Sequence, residues 1–119
     1  AVGSGAWDDN APVQRLIRRI KADCPEMLVI TDLCLCEYTD HGHCGVVAGE
    51  QVQNDATLEN LVRQALTAAH AGVDMIAPSG MMDGMVRAIR AGLDGVVGPV
   101  HQHLVGQGHK LERIARLDG

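Results

Sequence analysis

The side chains best equipped for chemistry lie between Asp32 and Cys44, where the chain reads Asp32-Leu33-Cys34-Leu35-Cys36-Glu37-Tyr38-Thr39-Asp40-His41-Gly42-His43-Cys44. Three cysteines, two histidines and three acids crowd into this stretch. A thiolate is a soft ligand that holds zinc at about 2.3 Å, and a catalytic zinc keeps three protein ligands and one open position. The spacing C-x-C-x7-C differs from the paired C-x2-C of a zinc finger. Leu28 to Cys36 reads as a strand entering a loop. Alternation along a strand puts Leu28, Ile30, Asp32, Cys34 and Cys36 on one face and Thr31, Leu33 and Leu35 on the other. Cys34 and Cys36 could then meet one ion. A Thr39–Gly42 turn, with Gly42 and Gly45 supplying backbone freedom, could bring Cys44 to it.

Other readings use the same residues. Free cysteine packs as a small apolar side chain, so Cys34 and Cys36 also suit a buried strand. A Cys34–Cys36 disulfide does not suit a strand, because i,i+2 positions sit about 6.5–7 Å apart, at or beyond the usual Cα limit. A thiol redox segment would use the C-x-C pair and leave Cys44 without a role. His41 and His43 read as loop histidines, or as donors and acid–base groups beside a metal.

The elements that must position these groups are legible in the hydrophobic pattern. Val13, Leu16, Ile17 and Ile20 recur at helical spacing, with Asn10 as cap and Pro12 in the first turn. Pro25 ends that helix, with Cys24 as a packing residue at its end, before a strand at Met27–Cys36. A polar loop follows, then a helix capped by Asp55 or Thr57 with Leu58, Leu61, Val62, Ala65, Leu66 and Ala69 inward and Gly72 as its C-terminal stop. Val73–Ala77 reads as a short buried strand ended by Pro78. A third helix at Asp83–Leu93 turns Val86, Ile89 and Leu93 inward, and Met81-Met82 reads as packing. Strands joined through a helix should be parallel, so this order predicts an α/β fold, either a (β/α)8 barrel or an open doubly wound sheet. Both put chemistry at the carboxyl ends of the strands, where Asp32, the cysteines and Ser79 fall.

Composition bounds the rest. The chain has 119 residues, 46% hydrophobic and 21% charged, with a formal net charge of −5, which suits one globular unit and gives no reason to expect nucleic acid. The cluster Arg15, Arg18, Arg19 and Lys21 reads as a solvated helix face. No apolar run reaches the ~18 residues of a membrane span and no signal peptide is visible, so a cytoplasmic protein with no membrane partner is expected. Four cysteines in that setting point to reduced thiols and metal. With no Phe, one Trp and one Tyr, the core must rest on aliphatic residues.

The segment Asp32–Gly45 resembles the metal-binding segment of the porphobilinogen synthase (5-aminolevulinate dehydratase) family in its zinc-dependent form. Gly3-Ser4-Gly5-Ala6-Trp7-Asp8-Asp9-Asn10 resembles the family's lead-in. Asn54-Asp55-Ala56-Thr57-Leu58-Glu59 and Ala77-Pro78-Ser79-Gly80-Met81-Met82-Asp83-Gly84 resemble its next two signatures. The likeness covers residues 3–94. It implies a TIM barrel, of which this chain supplies about two βα units, and condensation of two 5-aminolevulinate molecules to porphobilinogen, a lyase reaction of heme biosynthesis. It also implies zinc held by Cys34, Cys36 and Cys44, an active-site carboxylate at Asp32, a polar group at Ser79 (which otherwise reads as a turn after Pro78), and a homo-oligomer in the full-length family. Gly80 stands where many relatives carry Asp, and Met85 where many carry Arg.

The family's two Schiff-base lysines lie beyond the matched region. This chain has only Lys21 and Lys110: the first sits among arginines on a helix, and the second resembles no family motif. The organisation expected is therefore a partial barrel segment at 1–94 and a divergent, irregular tail at 95–119, with at most a helical turn near Glu112–Leu117 and His101, His103 and His109 as loop histidines or adventitious ligands. The chain is expected to be an inactive, poorly stable fragment of such an enzyme. The alternative is a zinc-binding module or relic without catalysis.

Overall fold

The computed structural model describes residues 3–97, 101–107 and 110–116, with side chains described as far as residue 95. After a 3-10 turn at Ser4–Trp7 the elements are α1 (Pro12–Asp23), β1 (Ile30–Leu33), β2 (Val46–Ala48), β3 (Gln51–Gln53), α2 (Asn54–Ala71), β4 (Met75–Pro78), α3 (Met85–Val97), β5 (His101–Gln107) and β6 (Lys110–Arg116). β1 and β4 are parallel neighbours, with Ile30 opposite Met75 and Leu33 opposite Pro78. This is the relation that a strand–helix–strand order demands. The full sheet runs β1-β4-β6-β5, and β2 and β3 form a separate antiparallel hairpin.

α2 is the central support. Leu61, Ala65, Ala68 and Ala71 recur along it and are buried with Leu33, Leu35, Ile76, Ile89 and Leu93. The small residues permit close approach. A Cβ added at Gly92 of α3 would stand 2.5 Å from Val62 Cγ1, so only glycine lets α3 lie this near to α2. The stop at Gly72 forms as expected, with φ +107 and its N–H donated to Ala68 and Ala69 carbonyls. The start does not: α2 begins at Asn54 with Gln53 at the cap, so Asp55 and Thr57 lie inside the first turns. Its inward face is also rotated, with Thr57, Asn60 and Gln64 buried while Leu58, Leu66 and Ala69 are only half-buried against the core.

Several expected boundaries shift for identifiable reasons. β1 covers only Ile30–Leu33, so Cys34 and Cys36 lie in the turn after the strand rather than on its face. The core side of β1 is the Leu33–Leu35 side; Leu28 and Ile30 are about half exposed. On α1, Ile17 and Gln14 are buried while Val13 and Leu16 face outward, and Ala11 rather than Asn10 stands at the cap. Met82 packs on the core, but Met81 is exposed. Lys21 is not a free surface cation: its Nζ donates to the Pro25 and Met27 carbonyls and to both oxygens of Asp74, at 2.9–3.2 Å.

The loop after Cys44 and the tail contain strands where irregular chain was expected. β2 and β3 turn at Gly49, whose φ is +65. β5 and β6 form an antiparallel hairpin, and β6 pairs with β4 through Met75–Arg116 and Ile76–Ala115. The free side of β4 presents unpaired backbone donors and acceptors, and a segment able to extend satisfies them even without a hydrophobic period. His109 and the side chains of His101, His103 and Lys110 lie outside the described residues.

Candidate metal and substrate site

The three cysteines are positioned by their apolar neighbours. Leu33 and Leu35 are fully buried, and they pin the chain on either side of Cys34. Tyr38 N–H then closes a turn on the Leu35 carbonyl at 3.0 Å. The loop reverses at Gly42, whose φ of +68 favours glycine, and the Thr39 hydroxyl donates to the His43 carbonyl at 3.0 Å. Gly45 fixes the far side. A Cβ there would stand 2.7 Å from Val52 Cγ1 and 2.8 Å from Thr57 Oγ1. The Thr57 hydroxyl accepts from Val46 N–H and donates to the Gln53 carbonyl.

This scaffold brings the thiols together. Cys34 Sγ lies 3.0 Å from Cys36 Sγ and 3.2 Å from Cys44 Sγ, and all three atoms fall within 4.8 Å of one another. Sulfurs bonded at 2.3 Å around a tetrahedral ion stand about 3.8 Å apart. The donor set therefore fits a thiophilic ion after a shift of under about 1 Å. Among the described residues it is the only group of three or more potential ligands so disposed. His41 and His43 stack against each other with ring centroids 5.4 Å apart and are not part of it.

The thiols differ in acidity. Burial acts most strongly on Cys34 and raises its pKa, but hydrogen bonds from Cys36 and Cys44 outweigh it, leaving Cys34 below the ordinary thiol value. Cys36 is raised chiefly by its hydrogen bond to Cys34. Cys44 is pushed up to about 12, first by its hydrogen bond to Cys34, then by burial and by the neighbouring negative charge. Cys34 thus ionises first and holds the protons on its two neighbours. The Asp32 carboxylate opposes ionisation of Cys34.

Asp32 and Ser79 meet across the two parallel strands. Ser79 Oγ donates to Asp32 Oδ2 at 2.9 Å, and Ser79 N–H approaches the Leu33 carbonyl at 3.4 Å. Both side chains are exposed at the carboxyl ends of β1 and β4, so the carboxylate keeps acceptor capacity for a further donor. Gly80 and Met85 are neighbours: a Cβ at Gly80 would lie 3.3 Å from Met85 Sδ, and Met85 is buried.

Sequence reasoning missed two glutamines. Gln64 of α2 is buried and its Nε2 donates to the Cys34 carbonyl at 3.3 Å, while Gln14 of α1 is buried with Nε2 on the Ala6 carbonyl at 2.9 Å. The available signal was positional. Gln64 follows Leu61 by three residues and Gln14 precedes Ile17 by three, which puts each on the inward stripe of its helix.

Parallel βα units with thiols, a carboxylate and a hydroxyl gathered at their strand ends define an α/β segment with a metal-capable site. The family description "Delta-aminolevulinic acid dehydratase" matches residues 1–101, beyond the boundary at 94 expected from sequence motifs. The chain belongs to the delta-aminolevulinic acid dehydratase family. It is 58% identical over 92 residues to the delta-aminolevulinic acid dehydratase of Escherichia coli (strain K12), covering 77% of this chain and 28% of that protein. It is 54% identical over 92 residues to that of Archaeoglobus fulgidus, covering 77% of this chain and 29% of the relative. A crystal structure of the Toxoplasma gondii ME49 enzyme in complex with the reaction product porphobilinogen superposes with a TM-score of 0.77 at 38% identity, over 79% of this chain and 27% of that one. The fold is accordingly a partial (β/α)8 barrel, and the chain spans less than a third of the length of these relatives. No described helix is long and apolar enough to cross a membrane.

Proposed function

We propose that this chain carries the metal-binding side of a porphobilinogen synthase site, with zinc held by Cys34, Cys36 and Cys44 and 5-aminolevulinate as substrate. The observation that carries the reading is the convergence of three sulfurs next to the Asp32–Ser79 pair at the carboxyl ends of two parallel strands. Soft thiolates select zinc over the hard divalent ions. When bound with an open position, zinc supplies Lewis acidity toward a carbonyl or a water molecule. Asp32 offers an exposed carboxylate to the ammonium group of the substrate, and Ser79 holds that carboxylate in one orientation through its 2.9 Å hydrogen bond.

Among the described side chains, none supplies the nucleophilic half of the reaction. An amine nucleophile must be neutral and able to reach the substrate. Lys21 is instead tied to Asp74 and to two backbone carbonyls. We therefore expect the polypeptide by itself to bind zinc without forming porphobilinogen.

The test pairs metal content with turnover. Purified chain should hold one zinc per molecule, lose it on Cys34→Ala, and give no product from 5-aminolevulinate. Zinc with no turnover also fits the module reading. The two separate when the remaining barrel strands of a full-length relative are supplied: restored turnover that depends on Cys34 supports the enzyme reading, and none supports the module. Retention of zinc by Cys34→Ala would contradict both.

A further inference from the structure

Among the described residues the dipeptide Asp-Gly occurs at Asp83–Gly84 and at Asp94–Gly95, and the fold places the two in opposite surroundings. An aspartate side chain can be attacked by the peptide nitrogen of the residue that follows it. Glycine hinders that attack least, because it has no Cβ.

At Asp83–Gly84 both reacting groups are open. Both residues are exposed in the loop between β4 and α3, and a Cβ placed on Gly84 would meet nothing within 4 Å. Gly84 has φ +75, and its carbonyl accepts from Ala88 N–H at 3.0 Å to begin α3. Its own N–H precedes the helical ladder and has no acceptor among the described residues. Asn54 holds Asp83 by the main chain: Oδ1 accepts from Asp83 N–H at 2.8 Å, and Nδ2 donates to the Asp83 carbonyl at 3.2 Å. The Asp83 carboxylate is left free of that clamp.

At Asp94–Gly95 both groups are engaged. Gly95 lies inside α3 (Met85–Val97), where its N–H belongs to the ladder, and the Asp94 carboxylate accepts from Arg90 Nε at 2.7 Å. Attack there requires the helix to open and the ion pair to part.

We propose that Asp83 is a site of spontaneous covalent modification, converting to β-linked isoaspartate through a cyclic imide with Gly84. The Gly84 nitrogen attacks the side-chain carboxyl carbon of Asp83. A C–N bond forms and a C–O bond breaks, and the proton on nitrogen leaves with the hydroxyl as water. Water then opens the imide at the main-chain carbonyl, which frees the α-carboxylate and carries the chain onward through the side-chain carbon. Water alone is the co-reactant, and nothing is oxidised or reduced. The two atoms that Asn54 grips survive the rearrangement, so the added methylene falls between that clamp and α3. The site needs neither metal nor substrate.

The test holds the full chain in neutral buffer made with heavy-oxygen water, with reducing agent present. Samples are digested in ordinary water and read by electron-transfer fragmentation, which separates α-linked from β-linked aspartate. Product carrying heavy oxygen should accumulate at Asp83 about tenfold or more faster than at Asp94, which must wait for local opening of α3. Unfolding in guanidinium chloride should bring the two rates together, since the dipeptides are the same. Asp83→Glu, whose longer side chain closes the ring poorly, should give no β-linked product at that position. Equal rates at Asp83 and Asp94 in the folded chain would overturn the proposal. Product at Asp83 that forms only in guanidinium chloride would overturn it as well.

Discussion

Ser79 Oγ donates a 2.9 Å hydrogen bond to the Asp32 carboxylate across the parallel β1–β4 pair. Two groups separated by 47 residues of chain are thereby joined at the strand ends, beside the three thiols. The register explains the meeting. Asp32 pairs with Ala77 and Leu33 with Pro78, so the first residue past β4 emerges next to the last turnward residues of β1.

Asp32 also acts on the thiols. Its charge raises the Cys34 pKa, against the hydrogen bonds that lower it. Asp32→Asn should therefore make Cys34 ionise at lower pH in the metal-free chain. Iodoacetamide alkylation followed by mass mapping at several pH values checks this: the pH at half-maximal rate for Cys34 should fall, whereas a rise would remove Asp32 from the electrostatics of the cluster.

Gly45 is a position where space, not conformation, demands glycine. A Cβ would overlap both Val52 and Thr57, whose hydroxyl ties the start of β2 to the residue before α2. Gly45→Ala should destabilise the chain by about 1–3 kcal/mol, the range for overpacking a filled site. It should also weaken zinc binding, since Cys44 is the preceding residue. Denaturant unfolding and metal titration measure the two effects together.

Lys21 should behave as a structural cation. Its Nζ and Asp74 lie 2.9 Å apart and both side chains are largely buried, with Asp74 also accepting from Val29 N–H. Removing one partner leaves the other charge partly desolvated, so Lys21→Met should cost about 2–4 kcal/mol. Borohydride treatment with 5-aminolevulinate should leave Lys21 unmodified. A trapped adduct at Lys21 would return the nucleophile to this chain.

Met27, Leu28 and Ile30 are each about half exposed, and β1 is an edge of the sheet. An exposed apolar edge strand pairs with other chains. The polypeptide should associate in a concentration-dependent way in sedimentation velocity runs, and Ile30→Lys should shift it toward monomer. A monodisperse monomer at all concentrations would contradict this.

The three helices, both parallel strands and the order of βα units were legible because each rests on local pattern: helical spacing, a glycine stop, prolines at element ends. What escaped depends on partners distant in sequence. Gln14 and Gln64 fall on the inward stripes of their helices, but their polar type points to the surface until α1 and α2 are packed together. The expected stripe on α1 turned outward at Val13 and Leu16 because Gln14, not Leu16, shares the inward face with Ile17. The pairing of β6 depends on β4, a strand distant in sequence, rather than on the composition of β6 alone. The C-x-C pair was read as lying on a strand face. The sulfurs meet instead because two buried leucines alternate with them through a turn.

The central claim is that Cys34, Cys36 and Cys44 together hold one zinc ion, and titration of that binding against pH tests it most directly. Cys36 and Cys44 are raised, Cys44 to about 12, so both carry protons near neutrality that the metal must displace. Affinity should therefore rise with pH, by about tenfold in Kd per unit for each proton released. Alanine at any one of the three cysteines should abolish stoichiometric binding, while Cys24→Ala should leave it intact. PH-independent affinity, or full binding after loss of one of the three thiols, would contradict the account.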